Sequence, residues 1–175
     1  MMAENNSYMD FLPATISSIL FALQIIIGIL LLPSIDQNPY LAYMGVGLYV
    51  CSGWFFGMFP ILEFRKHGGV KKGKSYVHTT KIVRTGIYSI IRHPQYVTWM
   101  LFAIAGMLLF QHYIIIIIGL PIFLLTYIDL LRADNRLIKK FGEDYKTYMN
   151  QVPRANVILG IYRVIKKKKK ISKGI

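Results

Sequence analysis

The chain has 175 residues, enough for one domain, and its 21 basic against 8 acidic side chains give a formal net charge of +13. Hydrophobic residues make up 54% of the chain and charged residues 17%, a more apolar balance than that of soluble domains. Every Lys and Arg lies at or after Arg65 and flanks apolar runs, which favours an anionic membrane surface over nucleic acid as the partner. The single cysteine, Cys51, excludes a disulfide framework and a cysteine-based metal site.

Two uncharged stretches near the start predict membrane-spanning helices. Residues 11–32 provide 22 positions without a charge and residues 39–62 provide 24, whereas about 20 suffice to cross a bilayer. The first stretch has no basic residue before it, and a second span follows it at once. We therefore expect a retained span and not a signal peptide.

A basic segment, 63–93, follows the second span and is rich in Gly, Lys and Arg up to Arg84. Its lysines keep the segment at the aqueous boundary, so it predicts a loop on the cytosolic side of the membrane. A second task for this loop, covering a bound ligand, is left open by the residues alone.

Residues 94–128 contain no Asp, Glu, Lys or Arg. Gln111 and His112 interrupt the apolar pattern near the middle, so we expect a helical hairpin of two spans with about 17 residues each. Each span rises roughly 25 Å, slightly less than the hydrocarbon core of about 30 Å. The fold class predicted is an all-α integral membrane protein with about four transmembrane helices, the whole of 1–175 forming one domain.

The last part of the chain predicts an amphipathic helix at 129–150 and a basic tail at 160–175. Ile138, Phe141, Tyr145 and Tyr148 recur at helical spacing between charged residues, and Gly142 is a weak point or a break. The tail carries five consecutive lysines, 166–170, which we expect to bind anionic membrane lipid.

Both basic regions belong on the same side, because the turns at 33–38 and 111–112 contain no Lys or Arg. Four spans with both termini in the cytosol satisfy this condition. The protein is thus predicted to be a multi-pass membrane protein with a cytosolic site, and no sequence feature indicates an oligomer.

A polar cluster stands at the cytosolic mouth of the third predicted span: Tyr88, Arg92, His93 and Tyr96, around Pro94. Arginine suits a carboxylate or phosphate, histidine titrates near neutral pH, and tyrosine rings attract cations. A proline fits the first helical turn, where backbone N–H groups favour an anion. The cluster suits a zwitterion such as S-adenosylmethionine, with a nicotinamide dinucleotide as a competitor and simple interfacial anchoring as the structural alternative. Metal-ligand spacing is absent around the remaining histidines, so no metal site is expected.

Two motifs carry a family resemblance. Thr85-Gly-Ile-Tyr88 with Arg92-His-Pro-Gln-Tyr96 is followed, after about forty residues, by Leu137-Ile-x-x-Phe-Gly142, Tyr145 and Tyr148. In these features the chain resembles the isoprenylcysteine carboxyl methyltransferase family, part of a wider group with phospholipid N-methyltransferases, over roughly 63–163. The resemblance implies a membrane-embedded methyltransferase that takes S-adenosylmethionine from the cytosol and a lipidic acceptor, a prenylcysteine-like carboxylate or a lipid amine, from the bilayer.

The same resemblance implies the site residues. Those implied to bind the cofactor are Lys81, Ile82, Val83, Tyr88, Ile90, Ile91, Arg92, His93, Pro94 and Asp134. From their positions and not from the resemblance, the residues expected to bind the acceptor are Tyr96, Trp99 and Arg132, the last because it is basic and lies at the exit of the last span; the catalytic candidates are Arg132 and Asp134.

The chain departs from the family at one point. The family has two adjacent glutamates eight and nine residues before the Phe-Gly glycine, where this chain has Asp134 and Ala133. A surface Asp134 paired with Arg136 or Lys139 is the structural alternative. Two other functions stay open: an NADPH-dependent membrane reductase of the sterol-reductase type, and a non-enzymatic four-helix membrane scaffold.

Overall fold

The computed structural model describes residues 2–34, 36–69 and 79–172, and in these ranges the regular structure is helical, without a β-strand. Within the described residues, 3₁₀ turns lie at Leu32–Ser34 and Gly86–Ser89, and a π-helical segment, Gly53–Met58, joins the second α-helix to the third. The α-helices of the described residues are α1 (Met2–Leu31), α2 (Pro39–Ser52), α3 (Phe59–His67), α4 (Pro94–Phe110), α5 (Tyr113–Phe141), α6 (Glu143–Gln151) and α7 (Val157–Ser172). The prediction of an all-α protein is confirmed for this part of the chain.

Three described helical stretches are long and apolar enough to cross a membrane: Leu12–Leu31, Pro39–His67 and Tyr113–Phe141. Helix α4 is also apolar but has 17 residues. Large hydrophobic side chains such as Leu30 and Tyr40 are mostly exposed along these helices, as expected for surfaces that face lipid. These helices support the prediction of an integral membrane protein. Three of the four predicted spans are long enough to cross a bilayer, and α4 is the short one.

The break predicted at Gln111 and His112 separates α4 from α5. Gln111 adopts a left-handed conformation with φ of 49°, which is uncommon for a residue with a side chain. Its amide exchanges two hydrogen bonds with the backbone of Asn38: Nε2 donates to Asn38 O at 2.9 Å, and Asn38 N donates to Oε1 at 3.0 Å. Gln37 Nε2 also donates to Leu109 O at 2.9 Å. These bonds hold the two turns together.

Helix α5 does not end at 128, where the apolar run stops, but continues to Phe141. Residues 129–141 contain no Gly or Pro and are mostly good helix formers (Leu, Arg, Ala, Lys), so the charges mark the edge of the apolar stretch and not the end of the helix. The predicted segment 129–150 is divided at Gly142, whose φ of 62° and ψ of −136° stop the helix. Helix α6 starts directly after it.

The chain forms two compact units. The first comprises Met1–Gly53 and Tyr96–Asn135, and the second comprises Trp54–Gln95 and Arg136–Ile175. Nine of the predicted cofactor residues, from Lys81 to Pro94, belong to the second unit.

A glutamine joins three helices inside the first unit. Gln24 of α1 is fully buried, and its Nε2 donates to Ala103 O of α4 at 3.2 Å and to Ile115 O of α5 at 3.5 Å. Gly106 and Gly119 leave space for this amide, since a side chain at either position would overlap it. Small residues and an interhelical amide are the usual means of helix association in a bilayer.

Candidate functional site

The turn that opens the first motif is attached to α3. Thr85 Oγ1 donates to Glu63 Oε2 at 2.9 Å, and the same carboxylate pairs with His67 Nδ1 at 2.8 Å. Gly86, with φ of 55°, lies so close to Glu63 that a side chain at this position would meet the carboxylate. These contacts define where the 3₁₀ turn Gly86–Ser89 begins.

The Arg92-His93 part of the first motif is buried. Arg92 is 8% exposed, His93 is 6% exposed and Ile91 is inaccessible. Arg92 N donates to Pro153 O at 3.0 Å and His93 N donates to Arg154 O at 3.1 Å. The backbone N–H groups of Arg92 and His93 are therefore used by the chain itself and do not face an anion.

Two residues of α6, Tyr145 and Tyr148, form hydrogen bonds to the first motif; we call them the tyrosine pair. Their rings are 5.8 Å apart, and each residue is 2% exposed. The hydroxyl of Tyr145 shares a hydrogen bond with His93 Nε2 at 3.3 Å, and Tyr148 donates to Tyr88 O at 2.6 Å. The 88–93 segment and α6 are thus bound to each other through polar atoms that are shielded from water.

Helix α6 is also attached to the chain before the first motif. Arg84 Nη2 donates to Asp144 O at 3.1 Å, and the guanidinium lies 5.9 Å from the centre of the Tyr148 ring. Ile82, Leu137 and Ile138 pack against the cluster formed by the tyrosine pair and Val152. The 79–93 segment is therefore held along its length.

A cavity of about 310 Å³ opens beside this cluster. Its lining combines two cations, one carboxylate and one aromatic ring among the residues Thr80, Lys81, Ile82, Arg84, Phe141 and Asp144. The volume lies at the lower end of the range for small-molecule sites, and the mixture of charges suits a zwitterion.

The structure brings together the predicted cofactor residues of the second unit but gives them different surroundings. Lys81 and Ile82 line the cavity, whereas Val83, Tyr88, Ile91 and Pro94 are buried by packing and Ile90 is half-buried. Tyr88 packs on the ring of Phe64, with centroids 4.6 Å apart.

The remaining predicted residues belong to the first unit. Asp134 is 2% exposed, so it does not lie on the helix surface as the structural alternative required, and Ala133 beside it is buried as well. Tyr96 is half-buried, Arg132 is exposed, and Trp99 meets Phe21 edge-on with centroids 5.2 Å apart.

Sequence reasoning did not assign Arg84, Phe141, Asp144 or the tyrosine pair to the site. The helical spacing of Tyr145 and Tyr148 signalled a shared face, but a tyrosine in a core and a tyrosine bonded to a backbone carbonyl look alike in sequence. The loop lysines Lys71, Lys72 and Lys74 lie outside the described residues.

The isoprenylcysteine carboxyl methyltransferase (ICMT) family model matches residues 72–140. This match confirms the resemblance drawn from the motifs and indicates a membrane methyltransferase. It stops before the tyrosine pair. The comparisons with curated proteins and with solved structures give no match.

Proposed function

We propose that this protein, whose residues 72–140 match the ICMT family model, is an S-adenosylmethionine-dependent methyltransferase that modifies a lipidic acceptor in the membrane. The acceptor class is a prenylcysteine-like carboxylate or a lipid amine. The observation that carries the proposal is the cavity beside the family-matched segment, because its lining fits the charges of this cofactor.

The fit is chemical. S-adenosylmethionine carries a carboxylate, an ammonium group, a sulfonium centre and an adenine ring. Lys81 and Arg84 offer cations for the carboxylate, Asp144 offers an acceptor for the ammonium group, and the Phe141 ring offers a face for a cation or a base. When bound, the cofactor supplies an activated methyl group.

The residues of the chain contribute mainly positioning and exclusion of water. Tyr88, Arg92 and His93 are buried away from water, and the hydrogen bond between Tyr145 and His93 Nε2 keeps the imidazole in one orientation. An acceptor that is already an anion needs no strong general base, so orientation is the chief requirement. Arg132, which is basic and lies at the exit of the last predicted span, is the candidate to hold the acceptor carboxylate, and Tyr96 and Trp99 are the candidates to contact the acceptor. Asp134 stands at one of the two positions where the family has a glutamate.

We also propose four membrane crossings with both termini in the cytosol. Inside the second unit, His93 and Tyr145 are hydrogen-bonded, so the chain between them crosses the bilayer an even number of times. Helix α5 is long and apolar enough to cross, and an even number of crossings then pairs it with α4. Inside the first unit, the bonds of Gln37 and Asn38 to Leu109 and Gln111 support a common side for the two turns that lack basic residues. Modest local thinning of the bilayer accommodates the short helix α4.

Binding of S-adenosylhomocysteine tests the cofactor proposal. We expect calorimetry on the purified protein in detergent to show binding, with His93→Ala and Tyr88→Ala each weakening it about tenfold or more, equivalent to 1.4 kcal/mol. Lys81→Gln removes a charge from an exposed residue of the cavity and leaves folding intact, so several-fold weaker binding is expected. Lys139→Gln, at an exposed position outside the cavity lining, is the matched control and should not change the affinity.

Absence of heat and of a thermal shift at millimolar ligand would contradict the methyltransferase proposal. Preferential binding of NADPH in competition would favour a reductase, and an unaltered affinity in Lys81→Gln would place the cofactor elsewhere. A screen of radiolabelled methyl transfer into prenylcysteine analogues and total lipid extract identifies the acceptor.

A further inference from the structure

Helix α7 presents an apolar face that nothing in the described chain covers. Ile158 is 83% exposed and Tyr162 is 59% exposed, and Ile161 and Ile165 are exposed as well. The spacing 158, 161, 162, 165 places these side chains on one side of the helix. The exposed lysines 166–169 continue directly from this face.

The opposite side of α7 is packed. Gly160 is buried against the carbonyl oxygen of Ile90, and a side chain at this position would overlap that oxygen. At about 100° per residue, Ile158, Tyr162 and Ile165 lie roughly 140–200° around the helix from Gly160. Arg163 Nη1 adds bonds to Asn150 O and Gln151 O, both at 3.4 Å. One face of α7 thus belongs to the second unit and the other faces outward.

The outward face fits an anionic bilayer surface. Isoleucine and tyrosine side chains enter the boundary between headgroups and acyl chains, and adjacent lysines are attracted by acidic headgroups. An acidic protein or a nucleic acid would match the lysines, but it would leave the exposed isoleucines without an apolar environment. The combination therefore favours lipid as the occupant.

The packed face of α7 touches the candidate site. Ile90 is in the segment predicted to bind the cofactor, and the carbonyl groups of Pro153 and Arg154, between α6 and α7, accept the N–H groups of Arg92 and His93. Asn156 Oδ1 accepts from Leu159 N at 2.9 Å and starts α7 directly after this connection. A displacement of α7 would therefore reach the 90–93 segment through short, direct contacts.

We propose that α7 docks on anionic lipid through this face, and that docking stabilises the 90–93 segment so that anionic lipid raises the affinity for S-adenosylhomocysteine. The docking stands on the structure of α7 alone. The effect on affinity rests on the function proposed above.

Docking is tested on the full chain in nanodiscs of phosphatidylcholine, with or without about 30% phosphatidylserine. A spin label at Ile165→Cys, in a Cys51→Ser background, should become more accessible to oxygen and less accessible to a water-soluble nickel complex in the anionic discs. Replacing lysines 166–169 by Gln should remove the difference, and replacing them by Arg should keep it. Equal accessibility of the label in the two kinds of disc would overturn the proposal. It would also be overturned if added polyglutamate or RNA immobilised the label and anionic lipid did not.

The effect on the site is measured by S-adenosylhomocysteine affinity in the same discs. We expect about fivefold tighter binding in anionic discs, a usual size for coupling between two sites, and loss of this difference in the Lys→Gln variant. Gly160→Ala should retain docking of the label and lose the lipid dependence of the affinity. Equal affinity in both discs would overturn the coupling, whereas absence of binding in every disc would contradict the proposed function and leave docking to its own test.

Discussion

At the scale of single residues, the connection from α6 to α7 and the tyrosine pair show how a buried histidine and the backbone of its motif are stabilised. A buried polar group is stable only when its hydrogen bonds are made inside the protein. Tyr145 provides a partner for His93 Nε2, and the carbonyl groups of Pro153 and Arg154 satisfy the backbone of the motif. The motif is therefore stabilised by residues more than fifty positions further along the chain.

Removing one hydroxyl tests this arrangement. Tyr148→Phe deletes the bond to Tyr88 O, so we expect the free energy of unfolding to fall by about 1 kcal/mol and S-adenosylhomocysteine binding to weaken. Denaturation in mixed detergent micelles measures the first effect and calorimetry the second. Tyr127→Phe, at an exposed position, is the control and should change neither. Equal stability of the two variants would show that the bond does not hold the segment.

The sequence predicted this region in part. The resemblance implied that Arg92, His93 and Asp134 bind one cofactor, and it included Tyr145 and Tyr148 only as motif residues. Arg92, His93 and the tyrosine pair all belong to the second unit, whereas Asp134 belongs to the first. The partner atoms were not predictable, because a backbone carbonyl has no residue identity. The burial of Asp134 was not predictable either, since a carboxylate between basic residues reads equally well as a solvated surface group.

At the scale of helices, the uncharged runs predicted where the apolar stretches lie but not where the helices end. Helix α5 passes through the point at which charges begin, because the hydrogen bonding of a helix does not depend on the polarity of its side chains. The end at Gly142 depends on a backbone conformation that a sequence only suggests.

A substitution at Gly142 isolates that backbone effect. No atom lies within 4 Å of the position that a side chain would occupy, so Gly142→Ala introduces strain and no collision. With φ at 62° we expect a loss of about 1–3 kcal/mol in the free energy of unfolding. Chemical denaturation measures it, and an unchanged stability would mean that α5 and α6 tolerate another connection.

Two glycines of α2 allow the packing of this helix to be tested, with Gly45 as the packed position and Gly47 as the control. A side chain at Gly45 would come within 2.8 Å of Leu109 N and 2.9 Å of Ala105 O, both in the backbone of α4, whereas the space at Gly47 is open. Gly45→Ala should force the two helices apart and lower the thermal midpoint clearly. Gly47→Ala should leave the midpoint unchanged or raise it, because alanine favours the helix by about 1 kcal/mol. Similar shifts for both variants would contradict the close approach.

At the scale of the whole molecule, the proposed four crossings are tested by labelling in intact cells. In a Cys51→Ser background, Asp36→Cys lies in the turn without basic residues and Asn150→Cys lies at the end of α6, both at exposed positions. A membrane-impermeant maleimide should label Asp36→Cys from outside and Asn150→Cys only after permeabilisation. Labelling of both from outside would contradict the predicted sidedness.

The tyrosine pair lies beyond the end of the family match, and this position matters for the design of chimaeras between relatives. The recognisable family segment ends at residue 140, but the hydroxyl groups and carbonyl groups that hold its Arg92 and His93 come from 145–154. A chimaera joined at residue 140 would import the signature and leave behind the residues that keep it folded. A chimaera designed to carry over the proposed activity therefore needs a junction beyond Arg154, so that the motif and the residues that hold it come from the same relative.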